Sequence, residues 1–386
     1  MHRRQFLKAA VAGAVVLPFA SYTSSAARAA ATTPTATPNA APAPGWRRHE
    51  VTTQVTIDFP KGVTRVWLPL PLAENTDYQR TLSITREASG ALLRTEFDPH
   101  YGAAMLCAEW QGPDESGGAG VTPVLTVVSQ IETRDRHVAL DRPASQPPLT
   151  KEQLALWLQP TDLLPTDGIV RDKAQEIMRI LPQDASQIDR ARAIYDWVVD
   201  NTFRDPKTLG CGVGDVESML ESGNLSGKCA DLSAVFVALA RAAGIPARDV
   251  YGIRTAVSAR GYKSLGKAGD ITRAQHCRAE FYAPGHGWIP VDPADVRKVM
   301  LEEEKGGLPV NDPRVVAIRD YLFGNWEMNW MAYNYAHDLI LPGSALGARG
   351  KIGFLMYPNG ETADGRLDPL DPANFKYRIA AREVSA

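Results

Sequence analysis

Of the four cysteines in this 386-residue chain (Cys107, Cys211, Cys229 and Cys277), Cys229 has the surroundings that suit a nucleophile. It follows Ser226-Gly227-Lys228 and opens a run in which Leu232, Val235, Phe236, Leu239 and Ala242 fall on one helical face. The run ends at Gly244 with Pro246 beyond, a regular helix stop. A sulfur at the first residue of a helix sits among free N–H groups at the positive end of the helix dipole, which favours thiolate over thiol. A thiolate also needs a proton partner. His276 begins a strand, Cys277 to Tyr282, that turns at Pro284-Gly285-His286-Gly287 and returns through Trp288 to Asp292. Hairpin pairing opposes residues about equidistant from the turn, and His276 and Asp292 lie 9 and 7 residues from Gly285. A nucleophile, a base and a carboxylate that fixes the imidazole tautomer are the parts of a cysteine acyl-transfer site. In this reading Cys229 attacks a carboxamide or peptide carbonyl, His276 protonates the leaving amine, and Asp292 holds His276. Water as acceptor makes the reaction hydrolysis, and an amine makes it transfer.

Three segments carry a family resemblance: Gly227-Lys228-Cys229-Ala230-Asp231-Leu232, Leu239-Ala240-Arg241-Ala242-Ala243-Gly244-Ile245-Pro246-Ala247-Arg248, and Gly287-Trp288-Ile289-Pro290-Val291-Asp292-Pro293. Together they resemble the core signature of the transglutaminase-like superfamily, over about Leu163 to Pro293. The gaps of 47 residues from Cys229 to His276 and 16 from His276 to Asp292 fit its layout, and Ile194-Tyr195-Asp196-Trp197-Val198-Val199 resembles its preceding helix. Trp67-Leu68-Pro69-Leu70-Pro71 and the tail resemble bacterial members more loosely. The resemblance implies an α+β fold with a papain-like core, in which the helix carrying the nucleophile packs on an antiparallel sheet. It also implies a protein or peptide substrate. Arg278 departs from the pattern, since many members carry an aromatic residue two positions after the histidine.

The elements around this core follow from periodicity. Residues 46–145 read as an N-terminal β domain of sandwich type, with Val51, Thr53, Val55, Ile57 and Phe59 on one face of a strand and Leu125, Val127, Ser129 and Ile131 on one face of another. Pro143, Pro147 and Pro148 mark the passage into a catalytic domain at 151–300, which opens on two amphipathic helices: Ile169, Val170, Lys173, Ala174, Ile177 and Leu181, then Ile188, Ala191, Ile194, Tyr195 and Val198. Asp205 to Gly227 reads as a long ordered loop. Residues 301–386 form a C-terminal extension expected to pack on the catalytic domain, with a helix near Pro313–Leu322 and an aromatic stretch, Trp326 to Tyr335, that reads as core packing.

Residues 1–29 read as a cleavable export signal, with Arg3, Arg4 and Lys8 before an apolar run from Ala9 to Ala20 and a small-residue site at Ala27-Arg28-Ala29. The Arg3-Arg4-Gln5-Phe6-Leu7-Lys8 start resembles a twin-arginine motif, which implies a periplasmic or secreted protein. The apolar run is too short to span a bilayer, so no membrane span is expected in the mature chain. Residues 30–45, rich in Ala, Pro and Thr, read as a linker. Loss of Arg3, Arg4, Lys8 and Arg28 moves the net charge from −2 to −6. With no basic cluster interleaved with aromatics, nucleic-acid binding is excluded.

Other motifs fail on mechanism. Ser222 replaces the first glycine of a P-loop and Cys229 its magnesium-binding hydroxyl, and Gly210-Cys211-Gly212-Val213-Gly214 lacks the strand and helix of a dinucleotide site. A zinc site from Cys211, Cys229, His276 and Cys277 has no close-pair spacing, no EF-hand loop occurs, and no cofactor or metal is expected. Cys107, Cys211 and Cys277 read as inert core thiols, His286 as a solvated turn residue, and Asp231 as serving the helix N-terminus. The expected function is exported cysteine acyl transfer or hydrolysis at amide bonds through a thioester. A catalytically inactive scaffold of the cell envelope is the alternative, and an intact Cys-His-Asp set speaks against it.

Overall fold

The computed structural model describes residues 45–384 apart from 59, 61, 113–121 and 145. The signal segment and all but the last residue of the linker lie outside the described residues. Two five-stranded antiparallel sheets form the N-terminal half. One sheet runs Gly269–Asp270, Lys376–Glu383, Arg47–Thr56, Val124–Thr133, Gln79–Glu87, and the other runs Gly365–Leu367, Asn359–Thr362, Thr64–Pro69, Ala104–Trp110, Leu92–Phe97. Val55, Leu125 and Val127 from the first share one buried cluster with Val66, Leu68, Leu106 and Trp110 from the second, so the sheets pack face to face as period-two strands require.

The tail does more than extend the catalytic domain. Lys376–Glu383 pairs with Arg47–Thr56 along its length, from Thr56 opposite Lys376 to His49 opposite Glu383, and Asn359–Thr362 pairs with Thr64–Pro69. These strands cover edges of Arg47–Thr56 and Thr64–Pro69 that would otherwise present unpaired backbone. Their short, charged sequences hide the alternation: only Ile379 and Ala381 of KYRIAARE are buried. Strands on both sides of residues 145 and 301 thus share the same sheets.

The catalytic half is built around the helix Cys229–Ala242, in which every side chain from Cys229 to Arg241 is buried. A helix apolar on all sides belongs inside a protein. It is enclosed by the helices Gly168–Met178 and Gln187–Asn201 and by a four-stranded antiparallel sheet, ordered Gly287–Val291, Gln275–Ala283, Ala247–Arg254, Trp330–Asn334. Pro293–Glu302 packs beside it with Asp292 as its N-cap and Pro293 at the first turn, where a missing N–H costs nothing. The aromatic stretch is core, as its composition suggests: Trp326 and Trp330 are fully buried, with ring centres 5.8 Å apart. The loop from Asp205 to Gly227 contains a helix, Val216–Ser222, whose two turns are too short to show a period in sequence; the Asp215 side chain accepts from Ser218 N at 3.0 Å to start it.

Candidate active site

The structure brings Cys229, His276 and Asp292 to one place. Cys229 is the first residue of its helix, 4% exposed, and its backbone is pinned by the neighbouring Ala230 N–H donating to Cys211 O at 2.9 Å. Asp231 accepts from the N–H groups of Lys228, Gly214 and Val213 at 2.8, 2.8 and 3.0 Å. It thus caps the helix, as its position suggests, and also ties down the loop that carries Cys211. Gly212 in that loop has φ +93°, and a Cβ there would lie 1.8 Å from the Asp231 carboxylate. Only glycine fits the turn.

His276 Nε2 bonds Asp292 Oδ2 at 2.8 Å, with both side chains buried. The hairpin pairs Ala279 with Val291, so one further step along that register sets Asp292 across from Arg278 with His276 on the diagonal. The turn count thus comes within two residues of the observed pairing. On its other edge His276 is opposite Gly252, where a Cβ would meet Met331 O at 2.2 Å and the Trp330 ring at 2.3 Å. That close approach lets Trp330 Nε1 donate to His276 O at 3.0 Å and fixes the strand behind the imidazole.

A second carboxylate and two guanidinium groups complete a buried network that residue spacing does not reveal. Asp295 Oδ1 lies 3.4 Å from His276 Nε2 and 2.5 Å from Arg254 Nη2. Arg278 Nε lies 3.4 Å from Asp292 Oδ2, Arg278 Nη1 donates to Glu327 O at 3.0 Å, and the guanidinium sits 4.7 Å above the Trp330 ring. Arg278 therefore braces Asp292. The only sequence signal for Asp295 is its place three residues after an N-cap, and Arg254, at the end of a strand, gives none.

These charges set the protonation states. Burial and Arg254 push the His276 pKa down, but the carboxylates of Asp295 and Asp292 outweigh them and hold it at about 9. Burial and the adjacent Asp295 push Asp292 up against the pull of His276 and Arg278. Asp295 is buried too, yet Arg254 and His276 keep it well below the usual carboxylate range. The neighbouring thiols of Cys211 and Cys277, then His276 against the opposing effect of burial, hold Cys229 well below the usual thiol range. Both shifts favour a thiolate beside an imidazolium.

Cys211 and Cys277, expected to be inert core, are buried but not remote. The Sγ atoms of Cys211, Cys229 and Cys277 all lie within 4.8 Å of one another. The loop bearing Cys211 folds back over the helix start, and Cys277 follows His276 on the strand, a convergence that sequence separation conceals. Both of these thiols have pKa values raised well above the ordinary one, Cys211 chiefly through its closeness to Cys229 and Cys277 chiefly through burial, so they stay protonated; Cys211 Sγ donates to Gln275 O at 3.3 Å and Cys277 Sγ to Met356 Sδ at 3.8 Å. Among the described residues, the three sulfurs, and separately His276, Asp292 and Asp295, are groups close enough to hold a cation. In the second group the carboxylates are already engaged by Arg254 and Arg278. Cys107 lies apart in the sandwich, its thiol pushed up to about 12 by burial. His286 stays in the hairpin turn, Nδ1 3.4 Å from Pro284 O.

Cys229 and His276 open on a cavity of about 640 Å³ that the tail also lines, through Tyr357, Leu370, Phe375 and Tyr377. Gln275 also lines it, and Gln275 Nε2 is a buried donor with no partner among the described residues. No helix of the described residues is long and apolar enough to cross a membrane.

Residues 171–293 match the family profile described as the transglutaminase-like superfamily. An uncharacterized protein of Haemophilus influenzae is 36% identical over 364 residues, covering 87% of this chain and 91% of that protein. Among solved structures, a candidate cysteine protease from Cytophaga hutchinsonii aligns over 87% of this chain and 98% of its own at 15% identity, with a TM-score of 0.47. The periplasmic domain of TgpA from Pseudomonas aeruginosa aligns over 62% and 92% at 16% identity and a TM-score of 0.33. Red sea bream transglutaminase aligns over 79% and 57% at 12% identity and a TM-score of 0.28. The chain belongs to the transglutaminase-like superfamily.

Proposed function

We propose that this protein is an exported cysteine enzyme that transfers or hydrolyses acyl groups of amide or peptide bonds through a thioester on Cys229. The observation that carries this reading is the buried His276–Asp292 bond of 2.8 Å beside a thiol at the head of a helix. An inert core would have no need of this polar set. In the reaction the Cys229 thiolate adds to the carbonyl carbon, forming the C–S bond as the carbonyl electrons move to oxygen. Collapse expels the amine, which takes its proton from His276. Water or an amine, deprotonated by His276, then releases the acyl group. Asp292 keeps the imidazole oriented and stabilises its charged form. We assign the developing oxyanion to the Cys229 N–H and Gln275 Nε2, because the latter is an unpartnered buried donor on a residue lining the same cavity. Export rests on residues 1–29 and their twin-arginine-like start.

Intact-mass spectrometry of the protein incubated with amide-bearing peptides tests this. Wild type gains the mass of an acyl group, removable by hydroxylamine, and Cys229→Ala gains none. Gln275→Ala forms the adduct about 10²–10³-fold more slowly. If Cys229 alkylates readily with iodoacetamide but forms no acyl adduct with any amide donor, the scaffold alternative replaces the enzyme.

A further inference from the structure

The cavity over Cys229 has an uneven charge. Among the described residues its lining holds seven Lys and Arg side chains and no Asp or Glu, although the chain as a whole carries a net charge of −2. Some of that charge is neutralised from behind. Arg204 pairs with Glu302, Lys298 lies 3.4 Å from the same carboxylate, and Arg254 is held by Asp295. Lys207, Lys228 and Arg273 make no ion pair within 4 Å among the described residues, and Lys267 makes none either, although its charge reaches the exposed Asp270 carboxylate. They come from separate segments: the loop before Cys211, the N-cap of the Cys229 helix, and the two ends of the turn leading into the His276 strand. Unneutralised charges of one sign around a concave, partly apolar site focus the field into it and raise the local concentration of the opposite charge. The same field works against entry of a cation to the three thiols below.

We infer that the substrate is an acidic peptide, whose carboxylates lie against Lys207, Lys228, Lys267 and Arg273 while an amide carbonyl is presented to Cys229. This deepens the acyl-transfer reading and rests on it. The chemistry at Cys229 calls for an amide, the lining calls for anions, and a peptide rich in Glu or Asp carries both. Tyr357, Tyr377 and Leu370, which line the same cavity, offer apolar contact for the stems of such side chains.

Two alkylating reagents that differ only in charge separate the two readings. Iodoacetamide and iodoacetate both react when the thiolate attacks the CH₂ carbon, the C–S bond forms and iodide leaves. For Cys229 at low salt, the ratio of the iodoacetate rate to the iodoacetamide rate should exceed that of 2-mercaptoethanol by about tenfold and fall as salt is added. In Lys267→Gln/Arg273→Gln, which leaves the His276 charge in place, the ratio should drop at least threefold. Hexaglutamate should protect Cys229 from iodoacetamide, while hexalysine, and inorganic phosphate at matched ionic strength, should not. A ratio equal to that of the free thiol, or one unchanged in the double variant, overturns the charge selection. Equal protection by phosphate overturns the assignment to a peptide. If Cys229 reacts with neither reagent, the nucleophile reading fails instead, and calorimetric binding of hexaglutamate, present or absent, then decides the charge selection separately.

Discussion

Asp292→Ala should unfold more easily by about 3–5 kcal/mol and form the acyl adduct about 10³–10⁴-fold more slowly. The size of both effects comes from how many groups this carboxylate serves. One oxygen takes the His276 Nε2 bond at 2.8 Å with Arg278 Nε at 3.4 Å, and the other caps the helix Pro293–Glu302 by accepting from Asp295 N at 2.9 Å. Removal strands a buried cation, disorients the imidazole and leaves a helix start uncapped. Asp292→Asn separates these roles. Its amide oxygen can still cap the helix, so much of the stability should return, whereas it cannot hold the imidazolium and the rate should stay low. Thermal denaturation and adduct formation measured on both variants check this; equal rates for Asn and Asp at position 292 would remove Asp292 from the mechanism.

The rate of acyl transfer should follow a bell-shaped pH profile with its alkaline limb near pH 9. His276 has its pKa raised to about 9, so the imidazolium that protonates the leaving amine is present below that pH and is lost as pH rises through it. The acid limb belongs to Cys229, held well below the ordinary thiol value, and activity is lost as pH falls through it. Both limbs describe a coupled pair, and each reports on the two residues together. Asp295→Asn removes a carboxylate that raises His276, 3.4 Å from its Nε2, and should move the alkaline limb to lower pH. A limb that does not move would show that Asp295 serves only Arg254 and the fold.

Local sequence pattern reveals the parts of this site that local physics builds. The spacing from Leu232 to Ala242 and the Gly244 stop mark the Cys229 helix, observed as Cys229–Ala242 with Gly244 at φ +77°. The hairpin arithmetic brings His276 and Asp292 together because a short turn leaves a strand few registers to choose from. What the pattern cannot show is set by long-range folding. Cys211 comes over Cys229 only because Asp231 gathers the backbone of Val213 and Gly214, and Arg254 reaches Asp295 from across 41 residues. Strand Lys376–Glu383 pairs more than 300 residues back along the chain, through a sequence with as many charged positions as apolar ones. Gly252 reads as an ordinary strand glycine until the Trp330 ring is seen to occupy the space a Cβ would need.

We propose that His276 helps hold Cys229 as a thiolate, and the pH dependence of iodoacetamide modification, followed by intact-mass spectrometry and peptide mapping of the folded protein, tests this. Wild type should be modified selectively at Cys229 well below pH 8, with the half-maximal rate shifted toward the ordinary thiol range in His276→Ala. A Cys229 that stays unmodified in the folded protein, or that reacts in both proteins no faster than an ordinary thiol, would show that no activated thiolate exists at this site.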